Sequence, residues 1–254
     1  MKLKTPAEIE IMREGGRRHA HILKELAALV KPGVSTYILE EEAQRLIREY
    51  GDKPAFLNYR PVGASRPFPA ALCLSINNEI VHGIPNELDR LIKEGDIVSL
   101  DIGVIHDGLI TDSAITVPCG AVDDEARELL RMTKLALERG IEAAKPGNTV
   151  GDIGAAIQAV AEKTPFSLAE DLAGHGVGHA VHEEPFIPNT GRPGKGVKLV
   201  PGMVIAIEPM LNVGTGAIKV LSDGWTIGTR DGKRSAHFEH TVAITDKGNI
   251  ILTL

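Results

Sequence analysis

The tripeptide Lys-Pro-Gly closes a helical pattern twice in this chain, at residues 31–33 and again at 145–147. Proline followed by glycine cannot continue a helix, so each copy is a stop signal. Before the first stop, Thr5-Pro6-Ala7-Glu8 has the form of a capping box with proline at the first helical position. After it, Ser35 or Thr36 caps a second helix that runs to about Gly51. The pattern then returns. Asp123 or Asp124 opens a helix that ends at the second stop, and Thr149 caps another that ends near Lys163. The two stops lie 114 residues apart (145 − 31).

The strands repeat in the same order. GDIVSLDIG at 95–103 parallels GMVIAIEPM at 202–210, and an acid falls six residues after the glycine in both: Asp101 and Glu208. Their separation is 107 residues (208 − 101). Asp112 in TDSAITV parallels Glu239 in FEHTVAIT at the larger offset of 127 (239 − 112), which fits an insertion between about 212 and 234. Any one likeness could be chance; the whole order holding twice argues against it. The prediction is an α+β chain with one catalytic domain over 1–254. Two fused αα–β halves, roughly 1–120 and 121–254, are related by a pseudo-two-fold, with an antiparallel sheet and helices on its outer face.

The repeat places acids where acids are costly. Asp101, Asp112, Glu208 and Glu239 each sit in or beside a short Val/Ile/Leu-rich segment, and His175 lies in another, LAGHGVGHAV. Four such carboxylates converging with a histidine would repel one another without cations between them. That combination points to an oxygen-rich, two-cation hydrolytic centre. A turn at His106-Asp107-Gly108 can bring Asp101 and Asp112 onto one face of a hairpin; the alternative, that Asp112 merely caps or turns the chain, is weakened by the matching pair Glu208 and Glu239.

The histidines need separate accounts. His175 and His179 have the four-residue spacing of a helical zinc site, but Gly174, Gly176 and Gly178 disfavour a helix, and His182-Glu183-Glu184 is not HExxH. In an extended segment His175 and His182 face opposite ways unless a bulge intervenes, so they read as one ligand and one substrate-facing residue. His179 reads equally as a structural histidine. His82 closes the apolar run SINNEIVHGIP at a Gly-Ile-Pro turn, which suits a cleft residue, although taken alone such a histidine is more often structural.

Composition excludes several classes. A net charge of −6, with Lys and Arg scattered, argues against a general binder of nucleic acid or anionic membrane. Two cysteines, Cys73 and Cys119, provide no disulfide framework and suit a reducing cytoplasm. No apolar stretch is long enough to span a bilayer, and the first residues lack a signal peptide's apolar core.

Taken in order, SINNEIVHGIP, GDIVSLDIGVIHDGLITDSA, GHGVGHAVHEEP, GMVIAIEPML and FEHTVAIT resemble type I methionine aminopeptidase, and the opening TPAEIEIMREGG resembles that family's first helix. The resemblance covers nearly the whole chain and implies the pita-bread fold. It further implies removal of the N-terminal methionine from newly made proteins and peptides, preferably before a small second residue. Asp101 would hold one of two divalent metal ions (Co, Mn, Fe or Zn), Asp112 and Glu239 would bridge both, and His175 and Glu208 would complete the other shell. The nucleophile would be a metal-bridging water or hydroxide, with Glu208 the candidate to take its proton. His182 would donate to the carbonyl oxygen, His82 would contact the scissile amide nitrogen, and Phe68, Cys73 and Trp225 would line the methionine pocket beside them.

The implied partners are nascent polypeptide N-termini and Met-starting peptides. A monomer, no specific nucleic acid and no membrane are expected, and any transient ribosome contact would use the core surface. Departures from the family's pattern gather at the pocket. Ser65 stands where a pocket tyrosine is common, Phe68 replaces another, Val81 precedes His82 where cysteine is frequent, and Val181 precedes His182 where phenylalanine is. Two other readings are a proline-specific peptidase of the same fold, for whose extra N-terminal domain there is no room, and a non-catalytic binding domain, which would be expected to lose metal ligands or gain basic insertions.

Overall fold

The structure, a computed structural model, describes residues 2–254. The first half runs α1 (Pro6–Leu29), α2 (Thr36–Glu49), β1 (Lys53–Pro54), β2 (Leu72–Ile76), β3 (Glu79–Val81), β4 (Ile97–His106) and β5 (Leu109–Pro118). The second opens with α3 (Asp124–Ala143) and α4 (Val150–Ala161), followed by β6 (Ser167–Leu168), β7 (Ala173–Gly176), β8 (Glu183–Pro188) and β9 (Val204–Ile207). It closes with β10 (Met210–Asn212), β11 (Ile218–Val220), β12 (Ile227–Thr229), β13 (Ser235–His237), β14 (His240–Thr245) and β15 (Gly248–Ile251). No helix among the described residues is long and apolar enough to cross a membrane.

The capping chemistry read from the sequence sets the helix starts. Thr5 accepts from the Glu8 amide while the Glu8 carboxylate accepts from the Thr5 amide, 2.7 Å away. Ser35 caps α2, and Asp123 caps α3 through the Ala126 amide. The two Lys-Pro-Gly stops adopt the same turn, with Gly33 at φ 86° and Gly147 at φ 93°. Each turn is pinned by matching backbone bonds, Gly33 to the Ile92 carbonyl and Gly147 to the Leu199 carbonyl, at 2.8 and 3.0 Å.

Two main antiparallel sheets result. In one, β4 pairs with β5 along its whole length and, on its other side, with β2 and then β1 near its C-terminal end; in the other the order is β15-β14-β9-β7-β8. Alternation sends Leu72, Leu74, Leu100 and Ile102 toward α1 and α2, where they form one apolar cluster with Ile22, Leu26, Leu39 and Ile47. A second cluster joins Leu129, Leu137, Ile153 and Ile157 of α3 and α4 to Ile205 and Ile207 of β9. Helices thus cover one face of each sheet, and the chain realises the expected α+β architecture.

The seam between the sheets is a short ladder. Thr241 Oγ1 accepts from the Asp112 amide at 2.8 Å and donates to the Asp112 carbonyl at 2.7 Å. Ser113 Oγ donates to the Glu239 carbonyl at 2.6 Å, and Thr116 Oγ1 to the His237 carbonyl at 2.7 Å. The predicted insertion after 212 contains β11 and β12. It returns to the first half, because β12 pairs with β3.

Candidate metal centre and active site

Asp101 and Asp112 come from facing strands. The β4–β5 register sets Asp101 opposite Ala114 and Gly103 opposite Asp112, so the two acids are diagonal neighbours on one face. The turn between the strands has Asp107 at φ 46° and Gly108 at φ 82°, the left-handed pair that a tight hairpin requires. Glu208 follows β9 directly, and Glu239 sits between β13 and β14. His175 lies on β7, whose register against β8 shifts between Gly174 and Gly176. That irregularity, with the bend after it, carries His182 round to the same side, and the two rings meet edge to face with centroids 4.4 Å apart.

All ten residues singled out from the sequence line one cavity of about 100 Å³: Asp101, Asp112, His175, Glu208 and Glu239, with His82, His182, Phe68, Cys73 and Trp225. Ligand atoms of Asp112, His175 and Glu239 lie within 4.8 Å of one another. His175 Nε2 stands 3.4 Å from Glu208 Oε1 and 3.9 Å from Asp112 Oδ2. Its Nδ1 donates to the Gly176 carbonyl at 2.9 Å, which leaves Nε2 bare as a ligand.

The electrostatics of the chain alone are unfavourable. Burial pushes the Asp101 carboxyl up to about 7. Burial, followed by repulsion from Asp101 and Glu208, raises Asp112 well above the usual carboxylate range. Glu239 rises likewise through burial and then the charges of Asp112 and Glu208. Burial also acts on Glu208, but His237, His175 and His182 outweigh it and hold that carboxyl below its ordinary value. Asp101 Oδ1, Asp112 Oδ1 and Glu239 Oε1 are buried without a hydrogen-bond partner. Orphaned acceptors facing one cavity with a bare imidazole nitrogen are a donor set suited to divalent cations. The residues fit the group.

The substrate side is less polar. Phe68 and Trp225 pack edge to face at 5.3 Å, and Trp225 also meets His82 at 6.3 Å. β12 delivers Trp225 here by pairing with β3, which ends beside His82. His82 has φ 58°, a left-handed backbone uncommon for a non-glycine residue and frequent at functional sites. Cys73 pairs across from Asp101, and burial raises its thiol well above its ordinary value. Burial of His82, and partial enclosure of His182 at the open rim, lower both imidazoles to about 4.

Several positions differ from expectation. Ser65 is not a pocket wall; it lies exposed on the loop before Phe68, and Tyr59 supplies the phenol instead. The Tyr59 carbonyl accepts from the Phe68 amide at 2.8 Å, closing that loop so that both rings face the cavity. SINNEIVHGIP is not one strand, because Asn77-Asn78 turns β2 into β3. His179 stays off the cavity wall, with Nε2 2.8 Å from Glu8 Oε1. Phe56, Tyr59 and His237 escaped the sequence reading. His237 Nε2 lies 3.5 Å from Glu208 Oε2, and its place two residues before Glu239 was the available signal.

The chain is similar to known proteins along its whole length. Residues 10–246 match the family model for metallopeptidase family M24. A methionine aminopeptidase of Aquifex aeolicus is 51% identical over 100% of this chain and 98% of its own length. Methionine aminopeptidase 1 of Bacillus subtilis is 47% identical over 98% of each chain. The crystal structure of the Thermotoga maritima methionine aminopeptidase superposes with a TM-score of 0.93 at 42% identity, covering 100% of this chain and 99% of that one. A prolidase from Pyrococcus furiosus, 23% identical with a TM-score of 0.75, shares the fold; this chain covers 65% of it. The sequence match from end to end and the cavity of paired acids carry one conclusion: the chain belongs to metallopeptidase family M24 and, within it, to the type I methionine aminopeptidases.

Proposed function

We propose that the chain removes N-terminal methionine with Asp101, Asp112, His175, Glu208 and Glu239 as the cradle of two divalent cations. The observation that carries this reading is the set of buried, partnerless carboxylate oxygens of Asp101, Asp112 and Glu239 on the wall that also holds His175, Glu208 and the apolar pocket. When bound, cations there supply Lewis acidity that lowers the pKa of an attacking water and polarises the scissile carbonyl. Glu208, kept ionised by its histidine neighbours, accepts the water's proton. His182 at the rim donates to the carbonyl oxygen as it gains negative charge. His82 contacts the amide nitrogen and guides a proton to the leaving amine.

Phe68, Cys73 and Trp225, joined by Phe56 and Tyr59, form an apolar, sulfur-bearing and aromatic wall suited to a flexible thioether. The pairing of Asp101 with Glu208 and Asp112 with Glu239 supports an internal duplication within one catalytic domain. Nascent chains in the cytoplasm are the substrates in this reading. The enzyme acts as a monomer that meets the ribosome only in passing.

The test is hydrolysis of Met-Ala-Ser by purified protein, before and after chelation, with add-back of Mn, Fe, Co and Zn. Activity is expected to vanish with the chelator and return with a cation. Equal turnover of Xaa-Pro peptides, or none of Met-Ala-Ser with any metal, sinks the assignment.

A further inference from the structure

A histidine that donates to a substrate carbonyl must carry its proton on the nitrogen that faces the substrate. A neutral imidazole has one N–H and one bare nitrogen, and a partner bound to either nitrogen selects between the two forms. Tyr59 Oη lies 2.8 Å from His182 Nδ1, and the two rings cross edge to face with centroids 5.4 Å apart. Among the described residues that hydroxyl has no other hydrogen-bond partner, so its O–H bonds within the protein only by donating to Nδ1. A phenol keeps its hydrogen at neutral pH, and burial of Tyr59 pushes its value further up.

The backbone around Tyr59 is held for this task. Its amide donates to the Phe56 carbonyl at 2.9 Å, and its carbonyl accepts from Phe68 at 2.8 Å. Asn58, just before it, is bonded to the Phe68 carbonyl at 2.9 Å with φ at 66°. The hydroxyl is therefore presented from a pinned turn rather than a loose loop.

We propose that Tyr59 is a positioning residue for the reaction: its hydroxyl donates to His182 Nδ1 and fixes the imidazole in the Nε2–H form, leaving Nε2 as the donor to the substrate carbonyl. This rests on the reading of His182 as that donor. Tyr59 touches the chemistry only through His182, although its ring also forms part of the pocket wall. The opposite bond, from Nδ1–H to the phenol oxygen, would leave Nε2 bare and unable to donate. The two arrangements share one distance and differ in where one hydrogen sits.

The experiment is ¹⁵N NMR of histidine-labelled protein loaded with diamagnetic zinc, with the His182 signals assigned by their loss in His182→Asn. The expected wild-type spectrum shows Nε2 protonated and Nδ1 bare, and Tyr59→Phe is expected to shift the ring toward a mixture of both forms. The same variant keeps the aromatic wall. It is therefore expected to lower kcat about tenfold or more while KM for Met-Ala-Ser stays within about threefold, since losing the partner that fixes a catalytic imidazole's tautomer costs up to ~10⁴ in rate elsewhere. A melting temperature close to wild type separates this from misfolding, and the wild-type spectrum needs no variant of Tyr59 at all. A protonated Nδ1 in the wild type, or an unchanged kcat in Tyr59→Phe, overturns the proposal. If His182→Asn itself turns over at the wild-type rate, the donor reading under the proposed function fails instead, whatever the spectrum shows.

Discussion

Replacing Asp101 by asparagine should make the metal-free protein more stable and the metal-loaded protein less so. In the folded chain burial holds the Asp101 carboxyl at about 7, against an ordinary value of 3.8. Because the folded value lies above the unfolded one, the folded state retains a proton that the unfolded state releases. Stability from this group is full below pH ~4 and is lost as pH rises through ~7. A difference of about three units, at ~1.4 kcal/mol each, sets a ceiling on the order of 4 kcal/mol by pH 8. The asparagine side chain would escape that penalty but would leave a buried amide without a partner, a cost of ~1–3 kcal/mol. The net gain is on the order of 1–3 kcal/mol, or roughly 2–10 °C in melting temperature for a chain of this size. The assay is thermal unfolding of chelator-treated wild type and Asp101→Asn at pH 5 and pH 8, repeated with excess divalent cation. The expected order at pH 8 is variant above wild type without metal, reversed with metal, and the metal-free difference should shrink at pH 5. A metal-free variant that melts at or below wild type at pH 8 would refute the claim that uncompensated burial of this acid opposes folding.

Three further outcomes follow from other parts of the structure. Asp112→Asn should lower bound metal per chain, measured by elemental analysis after gel filtration, and unchanged content would contradict a ligand role. Trp225→Ala opens the pocket wall beside Phe68 and His82, so KM for Met-Ala-Ser should rise about tenfold or more with a smaller change in kcat; equal changes in both would remove it from side-chain binding. Gly16→Ala places a Cβ 2.1 Å from the Leu252 carbonyl oxygen, so overpacking of ~1–3 kcal/mol should outweigh the ~1 kcal/mol gained in helix propensity, and a melting temperature above wild type would disprove it.

The proposed metal ligands were legible because each contradicts its surroundings: Asp101 and Asp112 interrupt apolar strands, and that conflict is visible one residue at a time. The helix ends were legible for a similar reason, since caps and Lys-Pro-Gly stops are local chemistry. Tyr59, Phe56 and His237 were not, because their roles arise only after distant segments meet. Tyr59 sits in an irregular loop with no hydrophobic period, and nothing adjacent marks its reach to a histidine 123 residues away. The Asn77-Asn78 turn is masked because the apolar residues on either side read as one strand. Trp225 was placed near the pocket by resemblance, while the physical cause, β12 pairing back onto β3, is a non-local register that periodicity does not encode.

That return pairing sets an order on biosynthesis. A chain emerging from its N-terminus has Asp101 and Asp112 in place long before Glu208, Glu239 or the Trp225 wall exists. Two carboxylates without their counterparts make a poor cation cage, and β3 waits for β12 before the pocket can close. The seam from Asp112 to Thr241 and from Ser113 to Glu239 cannot form until almost the whole chain is out. Under the proposed reading, a partial chain that ends before Glu208 carries only half of the acids and lacks the strand that closes the pocket. Such a fragment is expected to hydrolyse nothing, and the cation cradle is complete only when the second pair of acids meets the first.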